Sequence, residues 1–240
     1  MATVDIMIFS FVLVSGVLNV SLETVSGSSQ GDFKFDWRDY GVITPVYYDR
    51  SSVDNSASIV TAECVESLNA IQGKTKAIDL SWREVADCCK NYPSEPYWTW
   101  FECILNIGGL CTEADYRSGA GVCNNKTCTA VGKVTGNGII PKGSENLMAE
   151  IIHQTTIVAY IDVTPESFQS YTGGIYSDRN CTPGGIYDHV VQIVGYGTEA
   201  GVDYWILKNS WGISWGEQGY MRLLRGKNIC GISAMNIYPK

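Results

Sequence analysis

The chain has 240 residues, room for a leader and one globular unit, since domains run to roughly 100–200 residues. Charged residues make up 18% and the hydrophobic set 45%, which excludes a disordered chain and supplies a sizeable core. The net charge of −8, from 17 Lys and Arg against 25 Asp and Glu, argues against nucleic acid or an anionic membrane as the main partner, because both require basic patches.

From Ile6 to Val20 the chain is almost wholly apolar. At about 15 residues this run is short of the roughly 18 that a membrane span needs, and it suits the core of a signal peptide. Small residues at Ser15-Gly16 and Ser26-Gly27 offer cleavage points. Residues 1–27 are therefore expected to be a signal peptide, cut somewhere between 16 and 30, which sends the chain into the secretory pathway with an extracellular or vacuolar destination and no membrane attachment after removal. The preceding Met-Ala-Thr-Val-Asp5 departs from that pattern in carrying no Lys or Arg, and a buried N-terminal strand or helix is the alternative.

Beyond residue 50 the pattern turns helical. Ala57, Val60, Cys64, Leu68 and Ile71 form one apolar stripe at helical spacing that Gly73 ends, with Asp54 or Asn55 as the N-cap. Ser81 and Glu84 make a capping box for a second helix through about Cys88. Trp98 to Ile107 reads as a third, and Ser144 caps a shorter one over Glu145–Gln154. Thr156–Val163, His189–Tyr196, Tyr204–Lys208 and Gly219–Arg225 are short, rich in Val, Ile and Tyr, and separated by Gly, as strands are. Helices first and strands later imply an α+β protein, and the segregation is compatible with two lobes.

The cysteine count of nine is odd, so a disulfide framework leaves at least one thiol over; such frameworks persist in oxidising compartments. Asn125-Lys-Thr127 and Asn180-Cys-Thr182 are candidate N-glycosylation sites. Two His in the whole chain and no CxxC pair make a structural zinc site unexpected, and no metal or cofactor is anticipated.

Several segments together resemble the papain family of cysteine proteases. Asp36-Trp37-Arg38 and Val42-Ile-Thr-Pro-Val46 resemble its opening, Leu80-Ser-x-x-Glu84-x-x-Asp87-Cys88 its second helix, and Tyr171-Thr-Gly-Gly-Ile-Tyr176 a loop of its β domain. Asp188-His189 with Val194-Gly-Tyr-Gly197 is similar to the segment of the catalytic His. Tyr204-Trp-Ile-Leu-Lys-Asn-Ser-Trp-Gly212, followed by Trp215-Gly-Glu-Gln-Gly-Tyr220, is similar to that of the catalytic Asn, almost letter for letter. The resemblance runs from about residue 35 to the end, is weakest over 90–155, and is nearest to plant members, including seed proteins of legumes. It implies a papain-like α+β fold over 31–240. The helical lobe covers about 45–138 and the barrel-like β lobe about 139–232; the chain ends cross over, the cleft lies between the lobes, and the protein is a monomer. On this resemblance, no inhibitory prosegment of the kind such proteases carry is expected between the leader and Phe35.

The family's chemistry needs a thiolate at a helix N-terminus, an imidazole beside it, an Asn to orient that ring and a Gln side chain in the oxyanion hole. The resemblance assigns the imidazole to His189, the orienting amide to Asn209 and the shielding indole to Trp211. The nucleophile position falls on Asn55, and the spacing from there to His189 lies within the roughly 130–150 residues expected. An amide has no ionisable nucleophile. The oxyanion Gln falls on Asp49, where a donor becomes an acceptor-only carboxylate. The cleft glycines fall on Ser94-Glu95. Tyr160 stands where a small residue normally opens a specificity pocket, and Asp188 borders the cleft. The bridge tying the nucleophile loop is lost at Ser52 and Tyr92, while Cys88–Cys123 and Cys181–Cys230 are retained. Cys64, Cys89, Cys103, Cys111 and Cys128 stay unassigned, with exchanges between Cys88 and Cys89 or Cys123 and Cys128 open.

Other nucleophiles are weaker. Cys64 lies mid-helix on the apolar stripe, Ser56 is rotated about 100° from Asn55, and Ser52 is only a hydroxyl at the cleft edge. His153 is an ordinary surface or capping histidine. The expected function is that of a catalytically inactive homologue acting by binding, decoy or storage, with a peptide, a protease inhibitor or a small ligand in the cleft. The alternatives are an active cysteine-type endopeptidase with an atypical nucleophile and an elicitor- or lectin-like binding module.

Overall fold

A computed structural model describes residues 32–50, 52–90, 100–117, 121–181 and 186–240. The expected leader, Tyr92 and the Ser94-Glu95 pair lie outside the described residues.

The helical part opens with α1 (Val53–Gly73), followed by α2 (Trp82–Cys89) and α3 (Trp100–Ile107). The N-cap of α1 is Ser52, not Asp54 or Asn55. Ser52 holds the extended backbone a cap requires, and its hydroxyl accepts from the Asn55 amide N–H at 3.1 Å, which places Asn55 inside the first turn. The apolar stripe is buried as expected, but α1 is buried on nearly every face. One side packs with Leu80, Val85, Phe101, Ile104 and Leu110, and contacts continue to Val158 and Val190 of the sheet. A helix buried all round must satisfy its polar side chains internally. Ser67 Oγ therefore donates to the Glu63 carbonyl, and Glu63 and Glu66 find the partners described below.

Only half of the capping box at α2 forms. Ser81 Oγ accepts from the Glu84 N–H at 3.2 Å, while the Glu84 carboxylate turns away to accept from Cys111 N–H at 2.7 Å. The box is sacrificed because the segment at Cys111 needs a partner: Ser81 N–H also donates to the Cys111 carbonyl.

The sheet holds eight strands: β1 (Phe33–Asp36), β2 (Asn137–Ile140), β3 (Ile157–Ile161), β4 (Ile175–Tyr176), β5 (His189–Glu199), β6 (Val202–Lys208), β7 (Tyr220–Leu224) and β8 (Asn236–Pro239). Its order is β2-β8-β3-β5-β6-β7-β4, with β1 on the second half of β5. All pairs are antiparallel except β4 with β7. Where a barrel-like lobe was expected, the pairing is an open path with β2 and β4 at its ends. The register of β5 against β6 shifts between Ile193 and Gly195; a Cβ at Gly195 would lie 2.2 Å from the Phe35 carbonyl, so only glycine lets β1 approach there. Trp205, Leu207, Met221, Leu223, Phe168 and Met148 fill the core of this lobe. The short α4 (Glu145–Ile151) and α5 (Glu166–Gln169) flank it. Ser144 occupies the N-cap of α4 without a side-chain bond, and the helix stops before Gln154.

Four disulfides form. Cys88–Cys123 and Cys181–Cys230 are joined, and the cysteines the sequence left unassigned pair as Cys89–Cys103 and Cys111–Cys128. Cys64 is the free thiol, buried. Chain-entropy arguments give the two long loops roughly 4 kcal/mol each and the two short ones roughly 3.

Candidate active site

The cleft has one wall from the sheet and one from the start of α1. On the sheet wall, β5 begins with His189, and Asn209 follows the last residue of β6, so antiparallel pairing of the two strands sets the side chains together. His189 Nε2 lies 2.7 Å from Asn209 Oδ1, which also accepts from Ser210 N–H at 2.8 Å. Because Oδ1 is an acceptor, the ring proton sits on Nε2 and Nδ1 is left with a lone pair. His189 is 5% exposed, and burial pulls its pKa down to about 4 despite the Asn209 bond and the Asp188 charge, which act the other way. The ring is therefore neutral at pH 7. Trp211 covers it at 4.9 Å between centroids and is itself fixed edge-on by Phe168 and Trp215.

On the helix wall, the segment before α1 is stitched to the loop after β6. Asp49 N–H donates to the Ser210 carbonyl at 2.7 Å and Gly212 N–H to that of Tyr47 at 2.9 Å. This puts the Asp49 carboxylate against the first turn of α1, where its Oδ2 accepts from Asn55 Nδ2 at 3.0 Å. The Arg50 guanidinium lies over the Trp211 ring, 4.4 Å from its centroid. Between the walls is a cavity of about 220 Å³ lined by Asp49, Arg50, Ser52, Asp188, His189 and Trp211, with Val53, Val163 and Gln169 completing it.

The structure thus brings together most of the residues singled out in the sequence. Asp49, Asp188, His189 and Trp211 line the cavity, Asn209 stands behind His189, and Asn55 is tied to Asp49. Asp188 Oδ1 accepts from Val163 N–H at 3.0 Å, which closes one end. Glu95 lies outside the described residues. Tyr160, at 3% exposure, packs with Val158 and Val190 in the core against α1 and is not part of the cavity lining. Of the other hydroxyls and thiols considered, Ser56 is buried and donates back to the Val53 carbonyl, and Cys64 is fully buried with its thiol pKa driven up by that burial. Ser52 does line the cavity, its oxygen serving as the helix cap. His153 lies elsewhere, packed at a tilt against Phe35 and bonded to the Tyr196 hydroxyl at 3.0 Å. Asn125 is half-buried with Nδ2 directed at the Ile107 carbonyl, and Asn180 is exposed.

Arg50, Val163 and Gln169 were not anticipated. Arg50 adjoins Asp49 in sequence, which was its only signal; the other two arrive through the β3–α5 connection. Among the described residues one group of metal-ligand type converges, Glu84 with Cys111 and Cys128, and its two sulfurs are bonded to each other. No helix among them is long and apolar enough to cross a membrane.

The arrangement offers a neutral imidazole acceptor, two carboxylates, a guanidinium and an indole face in one small cavity. Comparison with known proteins places this geometry. The chain is 37% identical over 217 residues to Cathepsin 7 of Mus musculus, covering 85% of this chain and 64% of that protein. It is 34% identical over 215 residues to Fruit bromelain of Ananas comosus, covering 85% and 59%. The chain thus spans about three fifths of the length of these curated relatives, against 96% of Macrodontain-1 of Ananas macrodontes, to which it is 32% identical over 212 residues. The solved structure of bromelain from Ananas comosus in complex with the E64 inhibitor superposes with a TM-score of 0.77 at 30% identity, over 86% of this chain and 98% of that one. The profile described as papain family cysteine protease matches residues 32–240, and the chain belongs to that family, with a papain-like fold of helical and sheet-rich lobes.

Proposed function

We propose that this family member is a catalytically inactive homologue, a pseudoprotease that acts by occupying its cleft with a peptide, a protease inhibitor or a small ligand, or that serves as a decoy or store. One observation carries the reading: Asn55 Nδ2 donates to Asp49 Oδ2 at 3.0 Å at the head of α1. In the family mechanism these two positions supply the thiolate and an oxyanion donor. Here they supply a neutral amide and a carboxylate, and each is satisfied by the other. An ionised Asp49 would repel the oxyanion of a tetrahedral intermediate, and loss of one oxyanion donor alone costs about 10²–10³ in rate. The neutral His189 matches this, since a Cys–His ion pair requires an imidazolium. In this reading the protein is a secreted or vacuolar monomer, glycosylated at Asn180 and Asn125.

The test is the wild-type protein against general peptide substrates and an E64-type epoxide, read by intact mass. The expected outcome is no turnover and no adduct; turnover with an adduct on a cysteine overturns the reading. A fluorophosphonate adduct on Ser52 would instead favour a hydroxyl nucleophile at the one cavity-lining position among the described residues that has one. A binding reading for the cleft predicts cationic or neutral ligands beside Asp49 and Asp188, with affinity for cations falling as salt rises.

A further inference from the structure

A second cavity, of about 210 Å³, opens where the C-terminal half of α1 meets the segments 75–80 and 131–132. Its walls are Ala70 and Leu80, with Ile78 and Val131 carrying apolar surface out to solvent. One lining residue is a carboxyl: Glu66, 2% exposed. Its Oε1 accepts from Leu80 N–H at 2.8 Å and its Oε2 lies 2.5 Å from Thr44 Oγ1. The Thr44 hydroxyl in turn accepts from Lys208 Nζ at 3.1 Å, and Lys208, fully buried, pairs with Glu63 at 2.7 Å.

This buried cluster therefore holds two carboxyls, Glu63 and Glu66, and one ammonium. An unmatched buried charge is costly, so one of the carboxyls must keep its proton unless a second cation arrives. The geometry favours Glu66 as the protonated one, because Lys208 contacts Glu63 directly and reaches Glu66 only through Thr44. Burial raises the pKa of Glu66 to about 8, in agreement. The other charged groups facing this cluster are Asp79, which takes the Tyr47 hydroxyl bond, and Lys76, exposed on the cavity rim. Each oxygen of a carboxylate has a second lone pair, so Glu66 can accept one more donor from the cavity without giving up Leu80 or Thr44.

We propose that this cavity is a binding site for a small organic cation, an ammonium or amidinium group on an apolar body, whose charged head sits on Glu66 as the positive charge the buried cluster lacks. Binding breaks the Glu66 O–H bond and passes that proton to water or buffer; no bond of the ligand changes. The apolar body rests on Leu80, Ala70, Ile78 and Val131. The site is separate from the cleft and does not depend on whether the cleft is catalytic.

Benzylammonium is a suitable probe and benzyl alcohol its neutral counterpart. The full chain is titrated with each by calorimetry in two buffers of different ionisation enthalpy. The expected result is saturable benzylammonium binding with about one proton released per ligand, affinity rising about tenfold per pH unit well below the Glu66 pKa, and benzyl alcohol binding at least tenfold more weakly. Glu66→Gln retains an acceptor for Leu80 and a donor for Thr44, as the protonated acid does, and should abolish the proton release and cut benzylammonium affinity at least tenfold. Val131→Trp, at an exposed rim position, should block both ligands by filling the mouth. Equal affinity for the two ligands, proton release that survives Glu66→Gln, or no saturable binding by the wild-type protein overturns the proposal.

Discussion

The two walls of the cleft are held by different means. On the sheet wall His189, Asn209 and Trp211 are all buried; they exchange hydrogen bonds with strand ends and pack on Phe168 and Trp215. On the helix wall Ser52 is exposed, Asn55 half-buried, and the Asp49–Asn55 bond is a local contact within one loop and one helical turn. The sheet-wall residues thus serve the core as well as the cleft, and changing them costs folding free energy. On the helix wall Ser52 caps α1, but the Asp49 and Asn55 side chains are only half-buried, so their chemistry can change at less cost to the fold. On the proposed reading, the cleft keeps the outline of a peptidase on the sheet wall and lacks its reagents on the helix wall.

The largest test of this contrast is to rebuild the helix wall. Asp49→Gln with Asn55→Cys should create a thiol that takes up an E64-type label and supports peptide hydrolysis. Asn55→Cys alone should lag behind the double variant by at least about 10²-fold, because its thiol faces a carboxylate. If the double variant folds but gains no more reactivity than the single one, the helix wall is not where the two halves of the cleft diverge.

The next test is stability. Trp211→Ala should cost about 3–5 kcal/mol in urea unfolding, as loss of a packed aromatic does. Asn55→Ala, which breaks one half-exposed hydrogen bond, should cost under about 1 kcal/mol. Equal costs would erase the distinction between the walls.

Acidity separates the walls as well. His189 has a folded pKa depressed to about 4 against an ordinary 6.5, so its contribution is present above pH 6.5 and is lost as pH falls towards 4. At 1.36 kcal/mol per pH unit this is about 3 kcal/mol at most. His189→Gln should remove that acid-side loss, whereas Asn55→Ala should leave it intact. The buried interior has the opposite sign: Glu66, raised to about 8, contributes stability below about pH 4.5 that declines as pH rises through 8. Glu66→Gln should flatten the decline between about pH 4.5 and 8 and leave the profile below about pH 4.5 unchanged.

Much of the fold was legible because its signals were local. Strand β5 begins at His189 as its Val and Ile pattern required, and the Lys208-Asn209-Ser-Trp-Gly run led directly to the residue that orients the imidazole. Other features depended on choices that spacing does not make. Ser52, Asp54 and Asn55 are all capping residue types, and backbone conformation selected Ser52. Cys89–Cys103 and Cys111–Cys128 follow from three-dimensional proximity. Glu63 and Glu66 look like solvated helix charges until α1 proves to be buried on nearly every face, with Lys208 reaching them from a neighbouring strand. Arg50 joins the cleft only because the chain crosses beside Trp211.

The hydrogen bond between Asp49 and Asn55 also gives this cleft a direction in time. A thiol arriving alone at 55 meets a carboxylate that keeps it protonated. A Gln arriving alone at 49 merely exchanges one bond to the Asn55 amide for another and brings no nucleophile. If the cleft is inactive as proposed, neither single step should confer peptidase activity that selection could retain, and the route to such an enzyme would cross flat ground. On that proposal, two side chains 3.0 Å apart would act as an evolutionary ratchet, in which drift passes easily one way and return requires two coincident changes.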